Sequence, residues 1–364
     1  MGFEIKEKID LWQRLCDCKK PIILYGMGDG ADKIISVLES KNLIVSDFFA
    51  SDEFVRGQSF HNKTVLRFSD ITAKYSDFCV LVAFASSLPD VMQKIRDISK
   101  TCELYMPDVP VVPDGTLFDM QYVNDNFENL STAYDLLGDE ESRRVFENLV
   151  NFKISGKIEY LDAIMSDEDD AFENILHPEN YSVCADLGAY TGDSAKKLIC
   201  RCKNISKIYA FEPDRKNFAK LETFAKTVKT PKILPENIGA YSECCEEYIS
   251  EGAGRGSRIS KDRPKTLCKF DALDNVIKED VDFIKYDVEG AEHRALVGAR
   301  NTIRRCVPEM LISLYHRNED LFDLILLVYK IMPWYKLYLR KHTSFPAWDI
   351  NLYCVKERNQ NENN

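Results

Sequence analysis

Short apolar runs alternate along this chain with stretches whose apolar residues recur at helical spacing. Ile22, Ile23, Leu24 and Tyr25 form one run, followed by Gly26-Met27-Gly28-Asp29-Gly30-Ala31. Ile34, Ile35 and Leu38 then share one face of a helix expected over residues 32–40. Runs at 44–49 and 80–84 add two strands, closed by Ala50-Ser51-Asp52 and Ala85-Ser86-Ser87, and residues 4–16 read as an amphipathic helix. Strands separated by helices predict a small doubly wound α/β domain over residues 1–112. Pro107, Pro110 and Pro113 break the pattern and predict a boundary beyond which the second domain stands on its own. Residues 113–170 read as a helical connector, with Asp139 and Ser142 suited to a helix start. The acidic run 167–170 reads as a solvated loop. From 171 to 357 the alternation returns, with strands expected at 183–185, 208–211, 233–234, 283–284, 308–315 and 349–355. This predicts a second doubly wound α/β domain, and residues 358–364 read as a frayed tail.

Chemistry concentrates in residues 181–214. A strand ends in Asp186-Leu187-Gly188-Ala189-Tyr190-Thr191-Gly192, a helix follows, and a second strand ends in Glu212. The glycines let a ligand approach the backbone, and the helix start offers free N–H groups. A carboxylate at the second strand's end can accept both hydroxyls of a ribose. The spacing is D-x-G-x-x-x-G rather than the dinucleotide G-x-G-x-x-G. Asp186 would repel a pyrophosphate but suits a cation. S-adenosylmethionine carries an ammonium, a sulfonium and a ribose, and this stretch is read as its site. A rival turn, Gly26-x-Gly28-x-x-Ala31 with Asp52 downstream, fits a nicotinamide or nucleotide-sugar site, or a turn kept for packing. No Tyr-x-x-x-Lys pair follows it, which favours packing.

Further along, a strand carrying Phe283 and Ile284 ends in Asp287 and Glu289 beside Gly290. In a parallel sheet that edge faces the same crevice as Gly188. A helix cap would explain one acid but not the set. His316 closes the next strand, where an imidazole can act as a general base near neutral pH; Asp287 and Glu289 are the second candidates. Those acids could instead hold a magnesium or calcium ion, although no metal ligand is assigned. Residues 251–261, EGAGRGSRISK, read as a surface loop or as a lid in which Arg255 and Arg258 meet an acceptor.

Net charge narrows the partners. A charge of −11 and a pI of about 5.2 argue against a nucleic-acid partner. No apolar run approaches the roughly 18 residues of a membrane span, so a cytoplasmic protein is expected. The 12 cysteines include no C-x-x-C pair and read as reduced, with Cys79, Cys184 and Cys354 acting as small hydrophobes inside strands.

Read together, D-L-G-A-Y-T-G (186–192), F-E-P-D (211–214), N-I-G-A (237–240) and F-I-K-Y-D-V-E-G-A-E (283–292) resemble the FkbM family of S-adenosylmethionine-dependent methyltransferases. L-Y-H-R (314–317) and Y-L-R-K-H (338–342) add to the resemblance, which covers about half the chain. It implies a class I, seven-stranded methyltransferase fold and O-methylation of a sugar, glycan or natural product. It also implies that Asp186, Gly188, Ala189, Tyr190 and Gly192 cradle the methionine end. Glu212 and Pro213 then lie at the ribose, Asn237, Gly239 and Ala240 near the adenine, and Asp287 close by. Tyr190 departs from the family, which commonly has Asn there. The N-terminal α/β unit resembles companions of such domains in surface-polysaccharide loci. Two other classes stay open: a nucleotide-sugar oxidoreductase working from the first turn, and a binding protein that keeps the fold without the chemistry.

Overall fold

A computed structural model describes residues 2–112, 115–250 and 265–356. The 251–261 segment with Arg255 and Arg258, and the expected tail, lie outside the described residues.

Two large sheets organise the chain. The first contains β1 (Ile22–Tyr25), β2 (Val45–Phe49), β3 (Ser59–Phe60), β4 (Lys63–Leu66), β5 (Cys79–Val82) and β6 (Glu103–Tyr105), in the order β3-β4-β2-β1-β5-β6. All its pairings are parallel except the β3–β4 hairpin. β1 and β5 are buried along their whole length, as continuous apolar runs in a parallel sheet should be. The helix expected over 4–16 is shorter, Leu11–Asp17, and starts where the Asp10 carboxylate accepts the Gln13 N–H.

Residues 107–182 supply mainly helices and one short strand, β7 (Met165–Ser166). Asp139 caps the Glu140–Ser155 helix, as its sequence suggested. The acidic run is not a loop. Asp167 caps the Glu168–Ile175 helix by accepting the N–H groups of Asp169 and Asp170, and Glu168 bonds Lys197 at 2.6 Å. Carboxylates in a first helical turn complement the free N–H groups there, which is why the acids begin a helix.

The second sheet takes β8 (Val183–Leu187), β9 (Lys207–Phe211), β10 (Lys232–Glu236), β14 (Phe283–Tyr286), β15 (Glu309–Ser313), β16 (Tyr335–His342) and β17 (Ile350–Lys356). Its order is β10-β9-β8-β14-β15-β17-β16-β7, and β17 runs antiparallel to both neighbours. A small third sheet is built from β11 (Gly239–Ala240), β12 (Cys245–Ser250) and β13 (Lys265–Asp271). Two helices follow β14, Glu292–Gly298 and Arg300–Cys306.

The proline boundary does not divide the interior. Tyr25 and Phe49 of the first sheet, Phe146 of the connecting helices and Tyr286 and Phe345 of the second unit belong to one continuous apolar cluster. The Asn151 side chain binds across the same seam. Its oxygen accepts the N–H of Lys6 at 2.8 Å and of Glu7 at 3.1 Å, and its amide donates to the Glu147 carbonyl. A second unit cut free at 112 would therefore expose apolar surface and unpaired backbone. Asn151→Ala strands two backbone donors at a site 1% exposed, and should cost about 1–3 kcal/mol in equilibrium unfolding by urea.

Candidate active site

The carboxyl ends of β8, β9, β14 and β15 open onto a cavity of about 1120 Å³. Ligands in doubly wound sheets bind at this edge, where connections leave in opposite directions from neighbouring strands. Register places the key groups side by side. Lys285 on β14 is the partner of Asp186 on β8, and Tyr286 is the partner of Leu187. The next residues, Gly188 and Asp287, therefore meet at the rim. A Cβ at Gly188 would lie 1.9 Å from the Asp287 carbonyl oxygen, so only glycine allows this approach.

Gly188, Tyr190, Glu212, Pro213, Gly239, Ala240, Asp287 and Glu289 all line the cavity. Tyr190 takes a left-handed backbone, with φ of 50°, a conformation that Asn adopts more cheaply than Tyr. Ala189 is fully buried behind the turn, and Gly192 caps the Asp193–Arg201 helix. Asn237 does not line the cavity. Its amide donates to the carbonyls of Glu212 at 2.9 Å and Pro213 at 3.2 Å, fastening the turn that presents Glu212.

Glu212 accepts the Tyr190 N–H at 3.0 Å and the Asp214 N–H at 2.9 Å, one on each oxygen. Burial pushes its pKa up to about 7 despite those bonds. Asp186 lies beneath the rim. Its Oδ2 accepts the Ser194 hydroxyl at 2.5 Å, while Oδ1, 3.6 Å from the Lys285 ammonium, is buried without a hydrogen bond. Burial raises its pKa, although Lys285 and Ser194 oppose the shift.

Asp287 is held from three sides. Lys285 donates to Oδ2 at 3.1 Å, and the hydroxyls of Ser313 and Tyr315 each lie 3.2 Å from Oδ1. Burial alone would raise its pKa, but Lys285 and then His316 outweigh burial and hold Asp287 below the usual carboxylate range. Among the described residues no cluster of three His, Cys, Asp or Glu has the arrangement of a metal site. Asp287 is bonded by one ammonium and two hydroxyls.

His316 is placed differently from what its strand-end position suggested. It is 2% exposed and does not line the cavity. Its Nδ1 lies 2.9 Å from Glu292, and its Nε2 lies 3.6 Å from Glu289 and 3.7 Å from Asp287. Burial disfavours the charge, yet these carboxylates prevail and push the pKa up to about 10. The acids thus favour the imidazolium, which disfavours His316 as a base at neutral pH. Glu292 accepts the N–H groups of Val288 at 2.8 Å and Gly290 at 2.9 Å, which shapes the turn carrying Glu289.

Sequence reasoning passed over Lys285, Ser194, Ser313 and Tyr315. A lysine inside the apolar run F-I-K-Y was the available signal, since a charge in a buried strand needs a partner. The hydroxyls carry no pattern of their own. At the rival turn, a Cβ at Gly30 would lie 2.3 Å from the Ala83 carbonyl, so that glycine serves close packing. Asp29 and Asp32 stand in the first turn of the following helix, where they would repel a phosphate.

Numbered in chain order, the seven long strands of the second sheet run 3-2-1-4-5-7-6 with the seventh antiparallel, the arrangement of class I methyltransferases. Residues 186–336 match the family model of the methyltransferase FkbM domain, and the chain carries that domain. The methyltransferase FkbM of Methylobacillus flagellatus KT superimposes over 92% of this chain and 90% of its own, at 22% identity and a TM-score of 0.72. The shared fold thus includes the N-terminal unit. An rRNA methylase from Streptococcus thermophilus covers 52% of this chain and 94% of its own, at 14% identity and a TM-score of 0.34, too low to bear on fold or function. No curated protein matches the chain. No helix among the described residues is long and apolar enough to cross a membrane.

Proposed function

We propose that the protein is an S-adenosylmethionine-dependent O-methyltransferase acting on a hydroxyl of a sugar, glycan or related natural product. The observation that carries this reading is the meeting of the Gly188 turn, Glu212 and Asp287 at one sheet edge around a single cavity. The residues fit the cofactor: Asp186 Oδ1 is a buried acceptor without a hydrogen bond, and Glu212 has lone pairs left for ribose hydroxyls. The Gly188 turn would hold the methionine end, with Asp186 fully buried beneath it and outside the cavity lining, and Gly239 and Ala240 beside the adenine. The bound cofactor supplies an electrophilic methyl group on a sulfonium. Asp287, held as an anion, orients the acceptor hydroxyl through its remaining lone pairs and takes its proton as methyl transfer makes that oxygen strongly acidic, in place of His316. Lys285, Ser313 and Tyr315 fix that carboxylate in one position, which is where much of the rate advantage of a held geometry comes from. We place the reaction in the cytoplasm, where reduced cysteines belong; all 12 are free.

The direct test is release of S-adenosylhomocysteine with extracts enriched in nucleotide sugars and glycans. Product formation in step with a methylated acceptor supports the reading, and nicotinamide reduction instead would favour the oxidoreductase. A pH series adds an independent check. Glu212 loses its charge below pH about 7, so S-adenosylmethionine affinity should fall as pH drops through that value. Glu212→Gln should flatten the profile in calorimetric titrations; a wild-type affinity level from pH 6 to 8 would contradict the ribose role.

A further inference from the structure

The far side of the cavity is built from both large units. Ser87 follows β5 of the first sheet, and Thr343, Asp349 and Asn351 belong to the β16–β17 hairpin of the second; all four line the cavity. An antiparallel bridge ties the two segments: Ser86 N–H donates to the Phe345 carbonyl at 2.8 Å, and Phe345 N–H returns to Ser86 at 2.9 Å. Lys341 braces the hairpin from beneath, donating to the carbonyls of His342 and Ser344 and to the Ser344 hydroxyl.

Asp349 stands out in this wall. Its backbone is left-handed, with φ of 54°, a conformation that Asp adopts more readily than most residues. Its carboxylate makes no hydrogen bond or ion pair among the described residues, whereas Asp287 and Glu212 are both committed. The side chains of Ser87, Thr343 and Asn351 likewise have no partner among the described residues. Tyr315 links this wall to the reacting side. Its hydroxyl donates to Asp287, and burial, then Asp287, Glu289 and Asp349, push its phenol pKa up.

We propose that Asp349, with Ser87, Thr343 and Asn351, is the acceptor subsite of the methyltransferase, so that the N-terminal unit supplies part of the active-site wall. This rests on the methyltransferase reading above. A carboxylate that lines the same cavity as two hydroxyls and an amide suits a polyhydroxylated molecule, because it can accept from two adjacent hydroxyls. Asp349 here determines which acceptor binds; Asp287 deals with the proton.

The probes are the methyl α-glycosides of glucose, galactose, mannose and rhamnose at millimolar concentration, followed by saturation-transfer NMR on full-length protein loaded with S-adenosylhomocysteine. At least one should bind the wild type. Asp349→Ala should weaken that signal by about tenfold, the scale of one lost charge-assisted hydrogen bond. Ser87→Trp, placed in the other unit, should block it as well. Calorimetric affinity for S-adenosylhomocysteine should stay within about twofold in both variants, since neither touches the cofactor groups. The proposal is overturned if no glycoside binds, if the signal survives either substitution, or if cofactor affinity falls in parallel. Wild-type protein that fails to bind S-adenosylhomocysteine at all would overturn the methyltransferase reading itself.

Discussion

Asp287→Asn should lower methyl transfer by roughly 10²–10⁴-fold, the usual scale for loss of a group that takes a proton in the transition state. Cofactor affinity should hold within about threefold, because the substitution keeps the shape and the loss falls on the transition state. β14 positions this carboxylate. Its register against β8 puts Lys285 beside Asp186 and delivers Asp287 to the cavity rim. Lys285, Ser313 and Tyr315 then fix the carboxylate as an anion. Asn keeps the size but cannot receive a proton. Steady-state rates on whichever acceptor the wild type methylates fastest decide the matter, and near-normal turnover by folded Asp287→Asn would remove Asp287 from the chemistry.

His316→Ala should act chiefly on stability. The imidazolium is buried against Glu292, with Glu289 and Asp287 close by, and removing it takes away a buried positive charge that these acids share. Breaking a buried pair from one side costs on the order of 3–5 kcal/mol. The folded pKa, about 10, lies above the ordinary 6.5. The contribution is therefore complete below pH 6.5 and lost as pH rises through 10. Urea midpoints should fall between pH 7 and 10 in the wild type and change less in His316→Ala. If the variant keeps wild-type stability yet loses turnover along a curve with an apparent pKa near 6.5, His316 is the base after all.

Much of the second unit was legible because its strands are short apolar runs ending in chemistry-bearing residues. Asp186, Glu212 and Asp287 each follow a run long enough to be a buried strand, and parallel pairing brings such ends to one edge. The role of His316 was not legible, because the charge of an imidazole depends on neighbours from other elements. Glu292 is 24 residues away in sequence yet 2.9 Å away in space. Asn237 looked like a ligand contact for a similar reason: its backbone partners become visible only once the turn at Glu212 is closed. Prolines mark a break in the chain's pattern, whereas the core is set by which apolar faces meet. Phe345 of the second unit packs in the same cluster as Tyr25 of the first.

S-adenosylmethionine titrated by calorimetry at pH 8 into the wild type should fill one saturable site per chain. Glu212→Ala should bind it more weakly by about 1.5–3 kcal/mol, the value of hydrogen bonds to a charged group. No heat from S-adenosylmethionine, equal affinity in folded Glu212→Ala, or tight binding of a nicotinamide dinucleotide instead would contradict this cofactor assignment.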